Sequence, residues 1–388
     1  MATPVNKTQH PAYRNQPLGP TQIRLLSLQT THLQHVFPWI PHRLELVITR
    51  HNLEDEPDFA AVSYVWGNAP ASVSIPCNGS SILITPNVYE MLERFRLFGL
   101  PVWIDAICIN QEDVEEKRTQ IPLMQKIYRN ASNVYVWMGS SSPAVRDFML
   151  DFGRVVELSR TWTPQLPTGN PDWRGEDWPD NEHQFWGGAH HILRNDWFKR
   201  LWTFQEIVLA KRSTLFAGSL WINGDDFFDF VGKGIYEVGG YLHDARRGCS
   251  AEVEDKIYSE LAFETCAAIV LYSTQFRKDV PTIIHSQLAH VISGLRKRSA
   301  KEKVDRVWAI LGLLDEILQD RLKPMVDYSE PARIEYWRTY IQFAKAVFVV
   351  GQSLVLFDIC PCSGGHVKIP SWCPDLSSQP ESRGIGSK

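Results

Sequence analysis

Three short stretches of this 388-residue chain collect residue types able to bind a ligand or move a proton: "SYVWGNA" (63–69), "IDAICINQ" (104–111) and "VWMGSSS" (136–142). Each closes an apolar run that reads as a buried strand. In parallel α/β sheets, ligands sit beyond the carboxyl ends of the strands. Those ends would bring together Ser63, Tyr64, Trp66, Gly67, Asn68, Asp105, Cys108, Asn110, Gln111, Gly139 and Ser140. A tryptophan beside a glycine, with amides and one aspartate nearby, suits a flat polar ligand such as a nucleoside. Tyr64, Trp66, Gly67, Asp105, Asn110 and Gln111, with Trp202 from the stretch described next, are therefore the candidate ligand-binding residues. Each has a structural alternative as well. Asp105 can cap a turn, Asn110 can cap a helix, and Trp66 can fill the core.

A fourth stretch, "DWFKRLWTFQEIVLAKR" (196–212), reads as one helix. Lys199, Thr203, Glu206 and Ala210 follow at spacings of 4, 3 and 4, with large apolar residues almost everywhere else. That pattern predicts a helix buried on most sides with one polar stripe left open. Facing solvent, Glu206 would be an ordinary surface carboxylate. Facing a cleft, it would lie beside Trp202 in low dielectric. Its proton affinity would then rise, and it could serve as acid, base or ribose ligand. Spacing alone leaves both open.

Other constellations are weaker. Cys360, Cys362, His366 and Cys373 include a C-x-C pair, which departs from the C-x₂₋₄-C of structural zinc sites, so no metal is expected. His190 and His191 would diverge on a helix. Cys108 has no evident base partner. Walker, GxGxxG and GxSxG motifs are absent from the sequence.

The elements that must position these residues read as follows. Residues 23–29 and 43–50 alternate as strands. Residues 59–67, 101–107 and 133–139 are buried strands. Asn78-Gly79 joins a hairpin within 73–85. Residues 86–99 open with Pro and end with Gly, as a helix does. Asp113 with Glu116 forms a capping box for a helix that Pro122 should kink or divide. Strand, helix, strand, helix, strand implies a mostly parallel sheet with helices on both faces. "STLFAGSLWING" (213–224) reads as a strand and turn. Residues 161–188 are a long Trp- and Pro-rich insertion. Helical patterns cover 252–276, 282–298, 304–318 and 331–348. The expected domains are a disordered arm (1–22), an α/β domain (23–225), a helical region (226–350) and an irregular tail (351–388).

With 44% hydrophobic residues, 22% charged residues and 14 tryptophans, a packed core is expected. A net charge of −4 gives no field for nucleic acid or an anionic membrane. Seven cysteines without a secretory signal point to reduced thiols in a cytosolic or nuclear protein, and a cytoplasmic setting is the expectation. The most apolar late stretch, 345–359, is interrupted by Gln352, Ser353 and Asp358 and is too short to span a membrane.

Three blocks then carry a resemblance. "AAVSYVWGNA", "LPVWIDAICINQEDVEEKRTQIPLMQKIYRNASNVYVWMG" and "WFKRLWTFQEIVLA" resemble, in order and spacing, the signature blocks of the fungal heterokaryon incompatibility (HET) domain. The resemblance covers about 23–225 and extends more loosely to 305–316, 326–337 and 369–378. It implies a role in non-self recognition and regulated cell death, with homo-oligomers or other incompatibility proteins as partners. It also implies a fold similar to TIR domains, flavodoxin-like, some of which cleave NAD⁺ with one glutamate on a helix. By motif position Glu206 would be that residue, Trp66 or Tyr64 would stack on a base, and NAD⁺ would be a substrate, with no bound cofactor. The competing implication is a non-catalytic module that signals by homotypic contact. A cleft-facing Glu206 near Trp66 and Asp105 would favour the enzyme, and a solvent-facing one the adaptor.

Overall fold

The computed structural model describes residue 13 and residues 18–30, 44–161, 184–233, 285–360 and 368–377. Residues 162–183 of the insertion, the helix expected at 252–276, Cys362 and His366 lie outside those residues.

Nine strands form one sheet: β1 (Gln22–Thr30), β2 (Leu44–Asn52), β3 (Ala60–Tyr64), β4 (Val73–Cys77), β5 (Ser80–Ile84), β6 (Val102–Trp103), β7 (Asn133–Trp137), β8 (Ser213–Ala217) and β9 (Leu220–Asn223). Their order is β5-β4-β2-β1-β6-β3-β7-β8-β9. The centre, β6-β3-β7-β8, is parallel. Antiparallel pairs flank it, with a parallel β2–β4 contact further out. The α/β class expected from the sequence is present, as a mixed sheet with a parallel heart.

Sequence explains the placement. β2 alternates buried Leu44, Leu46 and Ile48 with less buried Glu45, Val47 and Thr49, as a strand covered on one face does. β3, "AAVSY", is buried at every position and sits mid-sheet. Asn78 and Gly79 have φ of 48° and 74°, the left-handed pair a two-residue hairpin needs. The Asn78 amide also donates to the Ile48 carbonyl and accepts from the Ile48 N–H, fastening the hairpin to β2.

Helices cover both faces. From α1 (Pro86–Phe95), Phe95 packs on Tyr135, Trp137 and Phe216. From α3 (Val114–Asn130), Tyr128 meets Trp103 edge to face. Ala61 pairs with both Trp103 and Val134, one step off the Val62–Tyr135 pair, so Trp103 and Tyr135 point to opposite faces. α3 starts as the sequence predicts, with Asp113 accepting the Glu116 N–H. Pro122 does not divide it, since α3 is continuous over Val114–Asn130.

Four expectations need correction. The strand expected over 101–107 stops at Trp103, and a short helix, α2 (Asp105–Cys108), begins at Asp105. Its turn is closed by the Ile104 N–H donating to Cys108 Sγ and the Cys108 N–H donating to the Ile104 carbonyl. The helix expected over 196–212 is two pieces, a 3-10 turn (Asp196–Lys199) and, beyond helices α4 (Pro143–Thr161) and α5 (Gln184–Leu193), α6 (Trp202–Val208). Arg200 between the pieces is extended, with ψ of 134°. It is held by a β-bridge in which the Leu201 N–H donates to the Ser299 carbonyl and the Ser299 N–H to the Lys199 carbonyl. Residues 213–224 carry a full hairpin, β8 and β9. After α7 (Gly224–Lys233) and α8 (His285–Leu295), the helix expected over 304–318 is split into α9 (Asp305–Trp308), a 3-10 turn, and α10 (Glu316–Leu322). α11 (Glu330–Ile334) and α12 (Tyr336–Val349) complete a helical C-terminal region whose core is continuous with that of the sheet.

Candidate functional site

The carboxyl ends of the parallel strands converge on two linked polar groups. The first centres on Asp105, at the start of α2. Its carboxylate accepts the Trp66 indole N–H at 3.0 and 3.1 Å to the two oxygens. It also accepts the Ala106 N–H at 2.7 Å and pairs with the Arg200 guanidinium at 3.2 Å. Arg200 donates in addition to the Tyr64 carbonyl and lies 5.8 Å from the Trp66 ring centre. The Gln111 amide donates to the Asp105 carbonyl at 2.8 Å, fixing the loop behind the carboxylate.

The second group centres on Glu206 in α6. The Ser63 hydroxyl, near the carboxyl end of β3, donates to its Oε2 at 2.5 Å. The Trp197 indole N–H donates to that same hydroxyl oxygen at 2.8 Å. The Tyr128 hydroxyl, which donates to the Val62 carbonyl at 2.9 Å, is also close enough to influence the carboxylate. Glu206 is 1% exposed. Its pKa is lifted to about 7 in all: burial raises it most, the Arg200 charge opposes the rise, the Asp105 charge adds to it, and Ser63 and Tyr128 oppose it. Burial works against the charge on Arg200, and the Glu206 and Asp105 carboxylates hold it charged.

Of the sequence-predicted site residues, Tyr64, Trp66, Asp105 and Gln111 come together here. Gly67, with φ of +73°, turns the chain away from β3 at an exposed position. Asn110 serves the turn: its side chain accepts the Glu112 N–H and its own N–H donates to Glu116 at 2.6 Å. Trp202 is not brought to Glu206; it is partly buried, with its indole within reach of Asp305 in the C-terminal region. The open polar stripe expected on the 196–212 helix is absent. Thr203, Glu206 and Ala210 are all buried, and of that stripe only Lys199 reaches solvent.

The C-terminal region closes the stripe. Arg298 donates to the Arg200 carbonyl at 3.1 Å and to Thr203 Oγ1 at 3.2 Å. The Gly312 N–H donates to the Gln205 side chain at 3.2 Å. Arg200, Trp197, Tyr128 and Arg298 complete the site and were not singled out from sequence. A lone arginine inside the aromatic run "WFKRLW" was the available signal, since an arginine there needs a buried anion or carbonyl.

Chemically, the site offers a carboxyl group able to hold or release a proton near neutrality, a fixed guanidinium, and a half-buried indole. In this conformation the carboxyl is sealed from solvent.

The fold and this cluster define an α/β protein with a buried acid at the carboxyl edge of its parallel strands. Residues 59–206 match the family model described as Heterokaryon incompatibility protein (HET). The match ends within α6. Over 374 residues the chain is 26% identical to heterokaryon incompatibility protein 6, OR allele, of Neurospora crassa, an alignment covering 84% of this chain and 52% of that relative. The chain thus spans about half the length of the curated relative it matches. No solved structure matches it significantly.

Proposed function

We propose that this chain is the HET-bearing part of a heterokaryon incompatibility protein, a non-self recognition and cell-death signalling unit held in a closed state. The HET match and the relative's name support the pathway. One observation carries the closed state: Glu206, at 1% exposure, is shut in by Ser63 and Tyr128. The strand ends above it are filled by Trp66, Asp105 and Arg200. In that geometry the site acts as a structural coupling between sheet and C-terminal region, suited to transmit a contact made elsewhere.

A second reading, NAD⁺ glycohydrolysis, is favoured by a different observation. A carboxyl poised near pKa 7 beside a guanidinium and an indole is the equipment for glycosidic cleavage. It requires α6 to open, so that the carboxylate could stabilise charge on the ribose as nicotinamide leaves.

Two measurements separate the readings. Expression of the chain in one partner of a hyphal fusion should reduce the viability of the fused cells. Full viability with well-expressed protein would end the incompatibility assignment. NAD⁺ consumption by purified wild type and Glu206→Gln, at high protein concentration, should show no difference if signalling is non-catalytic. Turnover by wild type alone would establish the hydrolase.

A further inference from the structure

We propose that the Arg24 guanidinium and the Ile107 carbonyl form a docking site for a tyrosine presented on a peptide segment. The chain's own Tyr13 fills it, and emptying it loosens α2. Tyr13 belongs to the N-terminal arm that precedes β1. Its hydroxyl donates to the Ile107 carbonyl at 2.8 Å, across 94 residues of sequence. Its ring lies against the Arg24 guanidinium, with Cζ 4.7 Å from the ring centre. Both side chains are buried, Arg24 at 1% and Tyr13 at 9% exposure. Burial, and after it Cys108, push the phenol above its ordinary range while Arg24 opposes them, so the hydroxyl stays a neutral donor.

α2 needs such outside donors. It spans four residues, and the last carbonyls of a helix have no partner within it. Tyr13 serves the Ile107 carbonyl, and Arg24 Nη1 serves the Cys108 carbonyl at 3.0 Å. Ile107 is 3% exposed and Cys108 fully buried, so water replaces Tyr13 only if the helix opens. At its other end α2 begins with Asp105, whose carboxylate holds Trp66 and Arg200. Loosening α2 therefore reaches the cluster that fills the strand ends. The arm is suited to exchange. Tyr13 is the one Phe, Tyr or Trp among residues 1–22, and Pro11 and Pro17 on either side disfavour a helix, so recognition falls on a single side chain. The proposal rests on neither functional reading above, and its failure would leave both standing.

The test is alkylation of Cys108 by iodoacetamide, mapped by mass spectrometry, in the full chain as wild type, Tyr13→Phe and Tyr13→Ala. The Cys108 thiol is sealed, and burial pushes its pKa up to about 12, so it reacts only when α2 opens. Tyr13→Ala should speed alkylation about a hundredfold. Tyr13→Phe, which keeps the ring on Arg24 and loses the hydrogen bond, should speed it about tenfold. Cys373, buried in the C-terminal region, is the control and should not change. A synthetic peptide of residues 8–18, in large excess, should restore protection to Tyr13→Ala, and the same peptide with alanine in place of its tyrosine should not. Unchanged Cys108 alkylation in Tyr13→Ala would overturn the proposal. So would a parallel rise at Cys373, which would make Tyr13 a general stabiliser. Failure of the native peptide to protect Cys108, or equal protection by its alanine version, would overturn it as well, because the site would then not read a tyrosine.

Discussion

Two glutamates, Glu116 and Glu206, are both withdrawn from water, and their partners differ in kind. Glu116 faces a full cation. Arg24 reaches it with both terminal nitrogens, at 2.5 and 2.9 Å, and the Asn110 N–H adds a third bond at 2.6 Å. Glu206 takes its hydrogen bond from a neutral hydroxyl, that of Ser63, and the Arg200 cation that steadies its charge is committed to Asp105 and the Tyr64 carbonyl. Burial alone therefore does not decide what a carboxyl does. A dedicated guanidinium makes one a fixed strut between β1 and α3, while shared and neutral partners leave the other able to change its charge.

The largest test of this contrast is Arg24→Met. It strands Glu116 without its cation and frees the Cys108 carbonyl and the Tyr13 ring that Arg24 also serves. Loss of about 3–5 kcal/mol is expected in denaturant unfolding. A loss under about 1 kcal/mol would show the pair to be no strut.

Next is the pH dependence of Glu206. Its folded pKa of about 7 exceeds the usual 4.5, so between those values the folded chain holds the extra proton. Stability from this group is therefore full below pH 4.5 and falls as pH rises through 7, by roughly 3 kcal/mol in all. Glu206→Gln should abolish that slope, and its advantage over wild type should grow from pH 5 to pH 8. Parallel curves for the two proteins would mean the carboxyl does not titrate as described.

Ser63→Ala is a smaller intervention. It removes the hydroxyl between Glu206 and Trp197 and should cost about 1–3 kcal/mol. It should also raise the pH at which Glu206 loses its proton, because the bond to the charged form is gone. The smallest effect belongs to Lys199→Ala, which breaks an exposed pair with Asp196. Less than about 0.5 kcal/mol is expected.

Much of this architecture is legible in the sequence. The β2 alternation, the Asn78-Gly79 turn, the Asp113 cap and the buried β3 run all follow from local chemistry. The Asp105–Trp66 contact follows from placing strand ends side by side. The state of Glu206 does not. The 3.6-residue spacing found a polar line through Thr203 and Glu206, but what covers that line comes from Arg298 and Gly312, far along the chain. The break at Arg200 has the same origin, since Ser299 captures the backbone groups that would have continued the helix. The capping box at Asp113 was half right for a related reason: Glu116 turns to Arg24 and Asn110 instead of reaching back to its own cap.

The bond between Gln205 and Gly312 joins residues 107 apart. On a ribosome, Glu206 emerges long before the segment that seals it. Until Arg298, Ser299 and Gly312 have been made, α6 has nothing to lie against on that side, and its carboxyl stays hydrated and ionised. Completion of the C-terminal region then couples closure of the core to uptake of a proton. A nascent chain stalled before residue 298 should be digested by protease within the 196–212 segment, and one released after residue 312 should resist.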